Sequence, residues 1–335
     1  MQMANRTVRP TLTDVAARAG VSKSLVSLVM RGEQGVSPAT RQRVREAADA
    51  LGYQPDSRAR LLRSGRSRLL GVVFGIEHAF HVDLVTALYT AARDSGYELA
   101  LSAVTPERDE TEATASLLQD RCEALIMLGP RTPAPALARL ATRLPVVVLA
   151  RDVRGADVIR TADADGLRQA VDHLAGLGHR RIAHIDGGRA PGAADRRRGY
   201  REAMHAHGLG RHVHIIAGGL TEDEGATAAR TLLHQSRPPT AITVFNDRCA
   251  TGVLDVLVRA GTRVPEQVSV VGFDDSHLAR LAHISLTTIA QDVPTMTRLA
   301  VARAIERIDG LAVAHRASVV TPHLVIRSTT GPVAD

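Results

Sequence analysis

From Leu69 onward, short apolar runs alternate with stretches of helical periodicity, and no other feature narrows the fold so far. Leu69–Gly75, Tyr97–Ala103, Ala124–Leu128, Pro145–Ala150, Arg181–Asp186, Val213–Ala217, Thr240–Phe245 and Val268–Phe273 read as strands. Between them, Asp83–Ser95, Glu107–Gln119, Asp165–Gly176, Asp195–His207, Asp223–His234 and Asp247–Ala260 read as helices. Regular alternation of this kind builds parallel sheets with crossover helices on both faces. The stretch is long enough for two such units.

The residues before Leu69 have a different texture. The chain of 335 residues carries a net charge of +7. Residues 1–68 alone hold 12 arginines and Lys23 against five acids, so the remainder is close to neutral. An excess concentrated in one short module is the footprint of nucleic-acid binding. Three helices are expected there. Thr11 and Asp14 have the spacing of a capping box, Val15, Ala16 and Ala19 share a face, and Gly20 closes the first helix. Ser22 caps a second helix with Val26 and Val29 inward. Ser37-Pro38 opens a third, with Val44, Ala47, Ala48 and Leu51 as its buried stripe. Two helices joined by a short glycine-containing turn and braced by a third form a helix-turn-helix.

The run Thr11-Leu-Thr-Asp-Val-Ala-Ala-Arg-Ala-Gly-Val-Ser-Lys-Ser-Leu-Val-Ser is followed by Val36-Ser-Pro-Ala-Thr-Arg and Leu51-Gly-Tyr-Gln-Pro. Further on come Gly178-His-Arg-Arg-Ile-Ala-His-Ile, Arg196-Arg-Arg-Gly-Tyr, Phe245-Asn-Asp, Val270-Val-Gly-Phe-Asp-Asp and Leu286-Thr-Thr-Ile. In this order the motifs closely resemble those of the lac/gal repressor (LacI/GalR) family of bacterial transcription regulators, over residues 11–328. The resemblance implies an all-α helix-turn-helix head on an α/β body of two lobes, each a doubly wound parallel sheet, like the periplasmic sugar receptors. It implies a head at 1–54, a hinge helix at 55–68 and an effector and dimerisation domain at 69–331. One lobe is expected at about 69–161 and 291–319, the other at about 162–290 and 320–331.

A recognition helix enters the major groove by its N-terminus, so Lys23, Ser24 and, one turn later, Leu28 are placed to reach base edges. Ser22, Ser27, Arg31, Ser37, Thr40 and Arg41, with Thr13 by resemblance, are placed to bond phosphates, which fix register without reading sequence. Ser22 and Ser37 serve equally as helix caps. Position 28 is commonly arginine in the family, suited to a bidentate guanine contact. Leucine cannot make that contact; it meets a thymine methyl or turns inward. In the hinge, Leu62 matches the family's minor-groove wedge, with Ala59 beside it, and such wedges unstack and bend duplex DNA. Arg58, Arg60, Arg63 and Arg66 would neutralise phosphates and make affinity steeply salt-dependent. Asp56 stands where the family usually has asparagine. The bland alternative is a solvated arginine tether.

In doubly wound sheets ligands sit at the carboxyl ends of strands. Arg151, Asn246 and Asp274 each follow a strand, and Arg196 opens a helix. By resemblance Arg196, Asn246 and Asp274 are the leading effector contacts, with Asp163 and Arg151 next; a structural salt bridge or cap is the competing role for each. His78-Ala-Phe-His81 replaces the family's usual Asn-Pro-Phe-Phe, and Leu220 stands where an aromatic platform is common. Only four Phe, four Tyr and no Trp are present, leaving Phe80, Phe74 and Phe273 to stack on a sugar.

Other classes are disfavoured. No Gly-x-Gly-x-x-Gly follows a strand and no phosphate loop ends in Gly-Lys-Ser/Thr, so no catalytic residue and no cofactor is expected of an α/β enzyme such as a kinase or dehydrogenase. His205, His207, His212 and His214 fit no metal-ligand spacing. A transporter's solute receptor would share the body but has no use for a basic head. Cys122 and Cys249 make no disulfide framework, and no apolar run reaches signal-peptide or membrane-span length. The expectation is a cytoplasmic homodimer, most simply a repressor, that binds a roughly palindromic operator and no membrane. A small effector, sugar-like by resemblance, would control it. No apolar heptad tail follows Ile326, so no tetramerisation helix is expected.

Overall fold

The computed structural model describes residues 10–30, 33, 35–53 and 66–333. The expectations for Arg31, Arg58, Ala59 and Leu62 fall outside the described residues. The chain divides into two units, Met1–Ser67 and Arg68–Asp335.

The first unit contains α1 (Leu12–Ala19), α2 (Lys23–Met30) and α3 (Pro38–Leu51). Each start is fixed by a side chain that satisfies an orphan backbone donor. Thr11 N–H donates to Asp14 Oδ2 at 2.7 Å, and Asp14 N–H returns to Thr11 Oγ1 at 3.4 Å, completing the box. Those bonds hold the Asp14 carboxyl below its ordinary pKa. Leu25 N–H donates to Ser22 Oγ at 3.2 Å and Thr40 N–H to Ser37 Oγ at 3.3 Å. Gly20 ends α1 at φ 62°, a left-handed turn that glycine adopts without a Cβ clash. Val15, Ala16, Ala19, Val26, Val29, Val44, Ala47 and Ala48 form the buried core, with Leu51 half-buried against it. Small side chains let these short helices approach closely.

The second unit holds two six-stranded sheets. The first comprises β1 (Leu69–Gly75), β2 (Glu98–Val104), β3 (Ala124–Leu128), β4 (Val146–Leu149), β5 (Asp157–Thr161) and β11 (Ala317–Val320), in the order β11-β5-β4-β3-β1-β2. All its pairings are parallel. The second comprises β6 (Ile182–Asp186), β7 (His214–Ala217), β8 (Ala241–Val244), β9 (Ser269–Asp274), β10 (Thr287–Ala290) and β12 (His323–Val325), in the order β12-β10-β9-β8-β6-β7. Here β12 is antiparallel to β10, the one departure from the expected all-parallel sheets. Helices α4 (Ala79–Asp94), α5 (Glu110–Gln119), α6 (Ala134–Ala141) and α11 (Val293–Ile308) serve the first lobe; α7 (Asp163–Gly176), α8 (Ala193–Ala206), α9 (Glu222–Leu233) and α10 (Asp247–Arg259) serve the second.

Both faces of each sheet are covered. In β3, Ala124, Ile126 and Leu128 enter one core while Leu125 and Met127 enter the other, as the two-residue repeat of a strand requires. The second sheet divides its core in the same way. Among the described residues no helix is long and apolar enough to cross a membrane, and no group of three or more His, Cys, Asp and Glu could hold a metal. Cys122 and Cys249 are free and buried.

Local signals misplace two helix starts. The helix expected from Asp83 begins at Ala79, because His78 supplies no side-chain cap to mark the start. The one expected from Glu107 begins at Glu110. Thr105 and Arg108 first close a turn, and Asp109 caps the helix by accepting from Glu112 N–H at 2.9 Å. Strand β5 carries Asp157 and Arg160 and shows no apolar run. Asp157 is buried because Arg303 and Arg307, about 150 positions later, reach it at 3.2 and 2.7 Å.

Candidate effector cleft and DNA-binding face

On the head, Thr13, Ser22, Lys23, Ser24 and Ser37 are exposed, while Ser27, Leu28, Thr40 and Arg41 are half-buried. Ser22 and Ser37 act as caps, and each hydroxyl remains on the surface. Arg41 donates to the Glu33 carbonyl at 2.7 Å, so part of its guanidinium braces the loop before α3. Leu28 lies on α2 between the buried Val26 and Val29, partly covered and partly facing outward.

In the body, a cleft lies where carboxyl ends of strands from the two sheets meet. Its lining includes His78, Phe80, His81, Gly129, Thr161, Asp163, Arg196, Leu220, Phe245, Asn246, Asp274 and Gln291. Arg196 is its centre. Nε donates to Asp163 Oδ1 at 2.8 Å, Nη1 donates to the Phe245 carbonyl, and Nη2 lies 3.8 Å from Asp274 Oδ1. The guanidinium carbon stands 3.5 Å from the Phe273 ring centroid and 4.5 Å from that of Phe245, so the cation packs over both aromatic rings. Two glycines permit this. A Cβ on Gly199 would lie 2.2 Å from the Ala164 carbonyl oxygen, so only glycine lets α7 and α8 pack this closely. Gly192, at φ 81°, starts α8 beside the Asp163 carboxylate.

Burial is the largest influence on Asp274 and raises its pKa well above the ordinary carboxylate value, against the opposing pull of Arg196. Its φ is 116°, and Ala150 across the cleft has φ 60°; strained backbone of this kind collects at ligand sites. Asp274 Oδ1 also accepts from Gln291 Nε2 at 2.7 Å, and Gln291 Oε1 accepts from the Thr161 hydroxyl. A continuous polar chain therefore runs from Thr161, at the end of the first sheet, to Asp163 on the second lobe. It passes two of the three places where the chain crosses between lobes, after β5 and after β10. Asn246 caps α10 by accepting from Cys249 N–H at 2.8 Å, and its amide donates to the Leu220 carbonyl at 3.3 Å. Asp247 beside it is fully buried; burial pushes its carboxyl up to about 7, while the Thr288 hydroxyl and the Ser276 N–H donate to it. The lobes also meet where Arg248 Nη1 donates to the Glu77 carbonyl at 2.7 Å.

Five of the six expected effector residues line the cleft: Phe80, Asp163, Arg196, Asn246 and Asp274. Arg151 does not. The left-handed turn at Ala150 sends its guanidinium to the carbonyls of Pro130 and Thr132, so it braces the loop after β3. Sequence reasoning missed Gln291, Thr161 and His81. Gln291 directly follows β10 and Thr161 ends β5, so the strand-end rule would have found both had those strands been recognised. His81 sits on the first turn of α4, its Nδ1 within 3.2 Å of the Gly75 amide, and burial drives its pKa down to about 3.

A helix-turn-helix head and a two-lobed body with a polar, aromatic-walled cleft define a DNA-binding regulator that senses a small molecule. The comparisons specify it further. Residues 11–56 match the lacI family of bacterial regulatory proteins, and residues 171–330 match the periplasmic binding protein-like domain. The transcriptional regulator GalR of Escherichia coli (strain K12) is 31% identical over 324 residues, covering 95% of this chain and 94% of its own. A LacI transcriptional regulator from a Rhodococcus species is 52% identical with a TM-score of 0.77, over 80% of this chain and all of its own. The lac repressor dimer bound to operator and the anti-inducer ONPF gives 29% identity and a TM-score of 0.81, over 97% of this chain and all of its own. The regulator CelR in complex with cellobiose gives 30% and 0.69, over 96% of this chain and all of its own. The chain belongs to the LacI family of bacterial transcription regulators.

Proposed function

We propose that this regulator is a homodimeric, cytoplasmic repressor that carries out no catalysis. A neutral sugar or related polyol bound between the lobes would set its hold on a roughly palindromic operator. In this reading residues 1–54 bind the major groove, 55–68 form the hinge, and 69–331 form the sensor and dimerisation body. Thr13, Ser22, Ser27, Arg31, Ser37, Thr40 and Arg41 hold phosphates; Lys23, Ser24 and Leu28 face bases; Arg58, Ala59 and Leu62 act in the minor groove.

The observation that carries the reading is the Arg196 guanidinium, buried against two phenyl rings and tied to two carboxyl groups. The cation is already compensated, so the cleft has no use for a strongly charged ligand. Its planar donors, the Asp163 and Asp274 acceptors and the Asn246 amide suit hydroxyl groups, which donate and accept at once. Phe80 supplies an apolar wall. A relative solved with cellobiose and another solved on operator DNA support both halves of the reading.

Control follows from the polar chain through Gln291. A ligand hydroxyl that bonds Asp274 competes with the Gln291 amide, which sits just after β10 where the chain crosses between lobes. The ligand thus favours one lobe arrangement over another, and only that difference in affinity can shift operator binding. The test is a mobility shift with the gene's own upstream region at two salt concentrations, with and without sugars found by thermal-shift screening. Salt-steep binding that a sugar changes supports the reading; salt-insensitive or absent binding overturns it.

A further inference from the structure

We infer that the second lobe carries a separate anion site, a pocket lined by Arg181, Arg211 and Arg237 that takes a small phosphate-bearing molecule. The pocket opens at the amino ends of β6, β7 and β8, whereas the effector cleft lies at the carboxyl ends of the sheet. Arg181 directly precedes β6, Arg211 lies in the turn before β7, and Arg237 lies in the loop before β8. Because β6 stands between β7 and β8, the three loops meet at one rim.

The charge there is uncompensated. The body as a whole is close to neutral, yet no aspartate or glutamate lines this pocket. All three arginines are exposed, and among the described residues none of them makes an ion pair. Nor are they spent on helix ends. Helices α8 and α9 close with their own backbone, His207 N–H donating to the Ala203 carbonyl at 3.1 Å and His234 N–H to that of Arg230 at 3.2 Å. Cations held around one concavity repel one another, and an anion shared among them relieves that repulsion. Guanidinium groups suit phosphate in particular, because their forked donors match its oxygens two at a time.

The walls are built rather than loose. Arg181 Nε donates to the Pro238 carbonyl at 3.2 Å and Arg211 Nε to His212 Nε2 at 3.1 Å, which leaves the terminal nitrogens of both for a ligand. Arg237 is followed by Pro238 and Pro239, whose rings restrict the backbone of that loop. Below the rim the buried Tyr200 hydroxyl donates to the Ile182 carbonyl at 2.7 Å and accepts from His214 N–H at 2.9 Å, tying the ends of β6 and β7 together. The cavity measures about 220 Å³. Ordinary small-molecule sites run to about 300–1,000 Å³, so this one takes a phosphate group with a short carbon stem laid against Val213 and Pro239. It is too small to enclose a nucleotide.

The test is calorimetric titration of the full chain, at fixed ionic strength, with inorganic phosphate, glycerol phosphate and phosphoglycerate, and with glycerol as the uncharged control. The phosphate probes should bind and glycerol should not. Arg181→Gln combined with Arg237→Gln should weaken the phosphate probes by about tenfold or more. Arg181→Lys combined with Arg237→Lys keeps the charge but loses the forked donors, and should still weaken them by about threefold or more. Both double variants should keep the parental circular dichroism and the parental affinity for the gene's own upstream region, which separates this site from the basic head. No binding of any phosphate probe, or binding that survives the glutamine pair, overturns the inference. Equal affinity in the lysine pair and the parent also overturns it, since a diffuse positive field then suffices. A folded glutamine pair that loses affinity for DNA overturns it too, by giving the arginines to the nucleic acid.

Discussion

Arg196 Nε meets Asp163 Oδ1 at 2.8 Å although the residues lie 33 positions apart, on α8 and α7, and both are almost fully buried. The pair costs desolvation on both sides and is kept where a ligand can use it. Removing one partner strands the other. Arg196→Met preserves the aliphatic stem but leaves Asp163 and Asp274 without their cation. We expect a loss of about 3–5 kcal/mol in body stability by chemical denaturation. Adding Asp163→Asn should recover part of it, and a single variant as stable as the parent would show that the pair contributes little.

Asp274 joins the cation to Gln291, so the two acidic and amide groups should separate binding from response. Asp274→Ala is expected to keep operator affinity and lose all effect of the ligand in fluorescence anisotropy. Gln291→Leu should still bind ligand in calorimetry, within about tenfold, while the operator response shrinks. If Asp274→Ala responds to ligand as the parent does, Asp274 leaves the site.

The buried ionisable groups give opposite pH dependences. Asp247 rises from an ordinary 3.8 to about 7 in the fold. Folding therefore favours its protonated form. That stability is present below the ordinary carboxylate value and is lost as pH climbs through about 7. His184 falls from 6.5 to about 3 because it is wholly buried. Its contribution is present above 6.5 and disappears as pH drops toward about 3. Below about pH 6.5 the two slopes oppose each other, so the parent alone does not separate them. Relative to the parent, Asp247→Asn should gain in thermal midpoint as pH rises from about 5 to about 8, because His184 is common to both. Asparagine retains a partner for both Thr288 and Ser276, so the variant should fold. A parent and variant with parallel profiles would remove Asp247 from this account.

Leu28 bears on operator choice. It is half-buried on the recognition helix and offers only methyl groups to a base. Leu28→Arg should turn preference at the facing base pair towards guanine, by about 1–3 kcal/mol of discrimination. Anisotropy on operators varied at each position reads this directly. An unchanged base preference would mean that Leu28 faces the head's own core.

The head was almost wholly legible in its sequence, because its decisive interactions span three or four residues. Thr11 with Asp14, Ser22 with Leu25 and Ser37 with Thr40 act within one helical turn, and their periodic apolar partners follow directly. The eight apolar strands were legible from their apolar runs: β3, β4, β6, β8 and β9 are buried throughout and have no polar face to disguise them, while the edge strands β2 and β7 keep an apolar sequence although only partly buried. The family motifs carried Arg196, Asn246 and Asp274 to the cleft, where the fold places all three.

What depended on distance was not written locally. Strand β5 is buried through Asp157 and its arginine partners from α11, so its own residues look like a surface loop. Arg151 follows a strand as an effector ligand should, yet the backbone turn at Ala150 gives it to two carbonyls instead. Gln291 and Thr161 matter only because two crossings between lobes bring them together, 130 positions apart in the chain. The sequence by itself determined which segments fold and which faces they bury, since capping and hydrophobic periodicity are short-range. Only the tertiary structure decided which polar groups share the cleft, because pairing of buried charge is settled by proximity in space.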